Sequence, residues 1–244
     1  MIRECDICQA AMEPVFASDC EDPVGYRCAT HGIKLESGGR MLSPEERARL
    51  EPVLRDLQRP RRKDPRAARI QGEALARIVG RIPVDVESLA EGVGVAIRWA
   101  PLPLAQRGRT GRTPDGRPLI ILNETLWQQW TPEQARWIAG EELAHILLEH
   151  ETLVASDTPG AVHVDWRTPE RRAEESEARA LAEGLLMPEE EVRRRAERWR
   201  AYRAGCFGAS EFKQQKEAML QGLAREFGVS QTAMGIRLKQ LSIL

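Results

Sequence analysis

The sequence lacks a net charge. Its 36 Lys and Arg residues are matched by 37 Asp and Glu, leaving −1 over 244 residues. That balance gives no global field to draw in nucleic acid or a lipid surface. Long apolar runs are also missing, and nothing approaches the ~20 residues of a membrane-spanning helix. The opening "MIRECDICQAAMEP" has no apolar core of the kind a secretory signal needs. Lysine is scarce, at five residues, so the basic side chains are nearly all arginine. No internal repeat is visible. These absences point to a cytoplasmic protein with no membrane association. In that compartment its five cysteines are thiols or metal ligands rather than disulfides.

Four of those cysteines fall within residues 1–33. Cys5-x2-Cys8 and Cys28-x2-His31 form two chelating pairs separated by 19 residues, a spacing compatible with a four-ligand structural zinc site. Residues three apart can set both donors on one tetrahedral ion. A segment this short cannot bury enough core to fold alone, so a bound zinc would supply the folding energy. Cys20 is left over and could replace His31 as the fourth ligand. With all four positions filled by protein, the site would be structural.

"ESGGR" then reads as a linker. Ser43 before Pro44 starts a helix, which ends near the basic, Pro-punctuated "QRPRRKDPR" of residues 58–66. A solvated connector is expected there. In "AARIQGEALARIVGR" the spacing places Ile70, Leu75, Ile78 and Val79 on one helical face. "VAIRWA" alternates as a strand. "TGRTPDGRPLIILN" reads as a hairpin turning at Pro114-Asp115-Gly116. Thr131 opens a helix over 132–150, and Thr168 opens another containing Glu177. "LAREFGVSQTAMGIRLKQLSIL" reads as helix, turn, helix, with Gly228 closing the first and Ser230 capping the second. Its second helix offers Gln231, Thr232, Arg237 and Lys239 to a groove, although packing is the favoured use.

The unusual stretch is "GEELAHILLEH", residues 140–150. Zinc proteases carry H-E-x-x-H on a helix. Here the same register reads Glu141-Glu142-Leu143-Ala144-His145. Positions four apart share a helical face, so Glu141 and His145 could grip one ion. Glu142, ~100° round the helix, stands where the zinc proteases keep their general base. A third ligand must come from elsewhere, and Glu177 is the best candidate. His150 lies five residues beyond His145, ~140° round a continuing helix, and is expected outside the ligand shell. His163, in the following loop, could swing in as a ligand or oxyanion donor, but a surface position is expected.

"IAGEELAHILLEH" followed by "EARALAEGLLMP" resembles the ImmA/IrrE family of bacterial metallopeptidases. "PVDVESLAEGVGVAIRWAPLP" and "GRTPDGRPLIILNETL" are similar to the family's helix, strand and hairpin ahead of the motif. The resemblance spans residues 70–195 and includes the C-terminal tail. It implies Glu142 as the base, His145 as a metal ligand and Glu177 as the distal carboxylate ligand. Three motif positions depart from the family. Glu141 stands for its histidine, and Arg179 turns its "EAN" into "EAR", with Leu181 in place of the following Phe. Glu141 could bind zinc or a harder ion through oxygen, or the site could be empty and the fold kept for binding.

The expected fold is α+β and mostly helical. It comprises a zinc-ribbon-like module (residues 1–40), a linker helix and connector (41–66), a zincin-like domain with a short β-hairpin sheet (67–200) and a helix-turn-helix-like tail (201–244). The resemblance implies a metal-dependent endopeptidase that cleaves a helix-turn-helix repressor, attenuated by Glu141. The cofactors expected are a structural zinc and a zinc or other divalent ion at the second site. A non-cutting regulator that binds a repressor is the alternative, and a DNA-binding protein is the third.

Overall fold

The computed structural model describes strand backbone at residues 3–4, 11–15, 25–28 and 32–35, and residues 42–59, 63–113, 115–150, 168–204 and 212–244. Four short strands come first: β1 (Arg3–Glu4), β2 (Ala11–Val15), β3 (Gly25–Cys28) and β4 (Gly32–Leu35). Helices α1 (Pro44–Leu57), α2 (Pro65–Val79) and α3 (Val86–Gly92) follow. Next come strands β5 (Ala96–Ala100), β6 (Gly108–Arg112) and β7 (Pro118–Asn123), with a 3-10 turn at Glu124–Gln129. The rest is helical: α4 (Pro132–Leu147), α5 (Pro169–Leu186), α6 (Glu189–Ala204), α7 (Phe212–Phe227) and α8 (Gln231–Gln240). The fold is thus mostly helical α+β. Cys5, Cys8, Cys20, His31 and His163 lie outside the described residues, and of Cys28 only the backbone, in β3, is described.

Local chemistry sets the helix starts. Ser43 caps α1 in a reciprocal capping box with Glu46, and Thr131 does the same for α4 with Gln134. Asp64, Asp85, Thr168 and Ser230 cap α2, α3, α5 and α8, each accepting from a backbone N–H in the first turn. The expected hairpin forms between β6 and β7, with Gly116 at φ +84° in its turn. Strand β5 joins β7 in parallel, and the sheet order runs β1-β2-β3-β4-β5-β7-β6, with β4 meeting β5 through Ile33 and Trp99. Asn123, fully buried, donates to the carbonyls of Leu102, Pro103 and Gln106 and so pins the loop that leads into β6.

The core is a helical layer against this sheet. Leu75, Leu89, Ile120, Leu143, Leu181, Leu185 and Phe227 are all fully buried within it. Helices α2 and α5 cross so closely that a Cβ on Gly72 would sit 2.1 Å from Leu181 O, and one on Gly184 would sit 2.1 Å from Arg69 O. Only glycine fits on either side of that crossing. Helix α2 buries Ala68, Gly72, Leu75, Ala76 and Val79, whereas Ile70 is 59% exposed. Its place on the core face was misjudged, because five residues separate it from Leu75, ~140° round the helix.

The C-terminal pair α7 and α8 forms with Gly228 at φ +59° between them. Its inner faces (Leu223, Phe227, Met234 and Leu238) belong to the same core. Arg237 does not face outward as expected. It is 2% exposed, donates to Met187 O at 3.0 Å and pairs with Glu73 at 2.7 Å, with Glu183 at 3.8 Å. A buried guanidinium needs such partners, and here they lie on α2 and α5.

Candidate functional site

The face of α4 that carries the unusual motif looks onto α5 and the start of β6. Position 108 is glycine because a Cβ there would lie 2.9 Å from Glu142 Oε1 and 3.0 Å from Ile138 Cγ2. Burial pushes the Glu142 carboxyl up to about 8, with the charges of Glu175 and Glu141 adding to the effect. At neutral pH it is therefore mostly protonated. Burial raises Glu175 as well, Glu141 raises it further, and Arg179 opposes the rise.

Glu141 already has a protein partner. Its Oε1 accepts from Arg179 Nε at 3.2 Å, an ion pair joining α4 to α5. Glu141 and Arg179 thus meet each other across the two helices.

His145 and Glu177 belong to a second, deeper cluster. His145 Nδ1 lies 3.1 Å from His150 Nδ1, and His150 Nε2 lies 3.1 Å from Glu177 Oε2. The other oxygen of Glu177 accepts from Asp64 N–H at 3.0 Å. Burial, followed by the neighbouring His150, pushes His145 down to about 4, and burial also lowers His150. Both rings are accordingly neutral at pH 7. A carboxylate only accepts, so His150 carries its proton on Nε2 and accepts on Nδ1. His145 then donates from Nδ1. Its free lone pair is on Nε2, which lies 3.6 Å from Glu175 Oε1.

His150 thus sits inside the site, contrary to expectation, because α4 stops at Leu147. Glu149 takes a left-handed conformation at φ +51°. Its N–H reaches Ile146 O, and His150 N–H reaches His145 O, both at 3.1 Å. This closure folds the chain back over the last turn, at a cost of roughly 1–2 kcal/mol for a non-glycine residue. The end of the connector also departs from the solvated linker expected. Lys63 pairs with Glu174, which Arg171 also holds at 3.0 Å, and Asp64 both caps α2 and contacts Glu177. Lys63, Asp64, Glu174 and Glu175 were missed. Only the charge density of "RRKDPR" and "RRAEESE" hinted at them.

A family model for the IrrE N-terminal-like domain, a peptidase family, matches residues 90–239, well over half of the chain. The chain belongs to that family. No curated protein matches it. The resemblance implies a metal at the motif helix, held by Glu141, His145 and Glu177. Glu141 is committed to a guanidinium, and both oxygens of Glu177 are engaged by protein donors. Among the described residues, no three His, Cys, Asp or Glu side chains converge on a common point. In this arrangement the Glu141, His145 and Glu177 set does not fit a catalytic metal.

Around the corner from Glu141 lies a cleft of about 540 Å³ between α4, α5 and α8. Its lining includes Trp130, Trp137, Ile138, Arg179, Met187 and Ile236.

Proposed function

We propose that this IrrE-like chain recognises a protein partner through the retained peptidase cleft and regulates it without cutting it. The observation that carries this reading is the Glu141–Arg179 pair, which engages a carboxylate that the hydrolytic reading needs for its ion. Two features support a polypeptide as the bound species. Among the described residues, no strand pairs with the outer edge of β6. An extended segment can add to such an edge through main-chain hydrogen bonds, and it would run beside Glu142. The cleft next to it carries two tryptophans, a residue type that anchors protein contacts. The partner class proposed is a helix-turn-helix repressor.

A second reading is a slow metal-dependent endopeptidase acting on the same repressor, with Glu142 as base; Glu141, His145 and Glu177 would hold its ion only after Glu141 and Glu177 released their present partners. The feature that favours it is Glu142, whose raised carboxyl lies near the range useful for proton transfer at neutral pH. In either case Cys5, Cys8, Cys28 and His31 are proposed to hold one structural zinc. The tail is proposed to pack rather than read DNA. No described helix is long and apolar enough to cross a membrane.

The test uses full-length chain mixed with helix-turn-helix repressors encoded near its gene, followed by calorimetry and by mass spectrometry of the products. A stoichiometric complex with intact repressor is expected. Specific new fragments, absent with Glu142→Gln, would overturn the non-cutting reading in favour of the second.

A further inference from the structure

We infer that Arg179 is a built-in counter-cation, whose guanidinium holds the position between α4 and α5 that a divalent ion would otherwise compete for. The inference deepens the non-cutting reading above and rests on it.

Three carboxylates gather on this face: Glu141, Glu142 and Glu175. Glu141 and Glu142 are neighbours on α4, and Glu175 lies on α5 with its Oε1 3.6 Å from His145 Nε2. A group of like charges calls for a cation. Arg179 donates from Nε to Glu141 Oε1 at 3.2 Å. No pH brings the guanidinium to neutrality in a working protein, so this cation cannot be titrated away.

The pair contributes little as a brace. The side chains of Arg179 and Glu141 are 65% and 26% exposed, and ion pairs that open to water add little stability. The consequence is electrostatic. A divalent ion approaching Glu141 and the free Nε2 of His145 meets a fixed positive charge, and it must also take Glu141 from its partner. His145 Nε2 stays available as a donor, because its Nδ1 proton is directed to His150. The residue that limits ion binding on this face is therefore Arg179 rather than the helix motif alone.

The experiment titrates zinc into full-length native chain and into Arg179→Asn and Arg179→Lys, following heat and thermal melting. All three share the same N-terminal segment, so any zinc held there cancels in the comparison. Arg179 is exposed, and the substitutions leave the core untouched. Arg179→Asn should gain a zinc-binding event at least roughly tenfold tighter than anything extra in the native chain, as expected when a nearby like charge is removed. Arg179→Lys, which keeps the charge, should follow the native curve. Identical curves for native and Arg179→Asn, whether neither or both take up additional zinc, would overturn the inference, as would a Lys variant that behaves like the Asn variant. Cleavage of a partner by native chain would instead refute the non-cutting function, whatever the zinc curves show.

Discussion

Arg237 decides between two uses of the last helix. If α8 were a reading helix for DNA, Arg237 would be spent on a groove, and its loss would leave folding alone. In the structure it is 2% exposed and ties α8 to Glu73 on α2 and to Met187 O at the end of α5. Replacing it by leucine leaves the Glu73 carboxylate without its counter-charge, with only the Glu189 N–H still donating to it, and strands a buried carbonyl. Glu183 suffers less, because Arg69 still holds it through two bonds at 2.8 and 3.1 Å. Breaking a buried pair costs about 3–5 kcal/mol. Glu73 is 19% exposed, so the low end, about 3 kcal/mol, applies here. For a chain of this length each kcal/mol moves the midpoint by about 2–4 °C, and the expected drop is about 6–12 °C. Thermal unfolding of native chain and Arg237→Leu, followed by circular dichroism, measures it. Adding Glu73→Leu should recover part of the loss, since removing both partners leaves no orphaned charge. A midpoint within about 2 °C of native for Arg237→Leu would refute the strut assignment.

Glu142 gives a pH signature. A carboxyl raised to about 8 keeps a proton in the folded state that the unfolded chain releases near its usual value of 4.5. Its contribution is thus fully present below about pH 4.5 and is lost as pH rises through 8. Glu142→Gln should therefore gain stability relative to native between pH 6 and 9. The full shift sets a ceiling of about 5 kcal/mol, and partial exposure brings the expected gain to about 1–2 kcal/mol. A native-minus-Gln difference in melting temperature that stays flat over this window would contradict the assignment. The N-terminal zinc proposal expects about one zinc per native chain by elemental analysis and none after Cys8→Ser; retention of the metal in that variant would remove Cys8 from the set.

What could be read from the sequence was local. Ser43, Thr131, Thr168 and Ser230 announced their helices because a cap acts on backbone within three residues. The β6–β7 hairpin followed from its turn residues for the same reason. The motif face of α4 and the relevance of Glu177 came from periodicity and resemblance. The partners in the site did not. Glu141 and Arg179 were both visible as odd letters, but their meeting depends on how α4 crosses α5. His150 was misplaced because helix extrapolation assumed another turn, whereas Glu149 adopts the left-handed closure that usually falls to glycine. Packing was the favoured use of the last helix, but which partners Arg237 takes depends on its neighbours on α2 and α5.

The glycines at positions 72 and 184 let α2 and α5 meet backbone to backbone, and two sets of partners depend on that crossing. At the start of α2, Lys63 and Asp64 touch Glu174 and Glu177. At the crossing itself, Glu73 grips Arg237 and accepts from Glu189 N–H at the start of α6. A side chain at either glycine would force the two helices apart, and would disturb the seat of the histidine cluster and that of the C-terminal helices together.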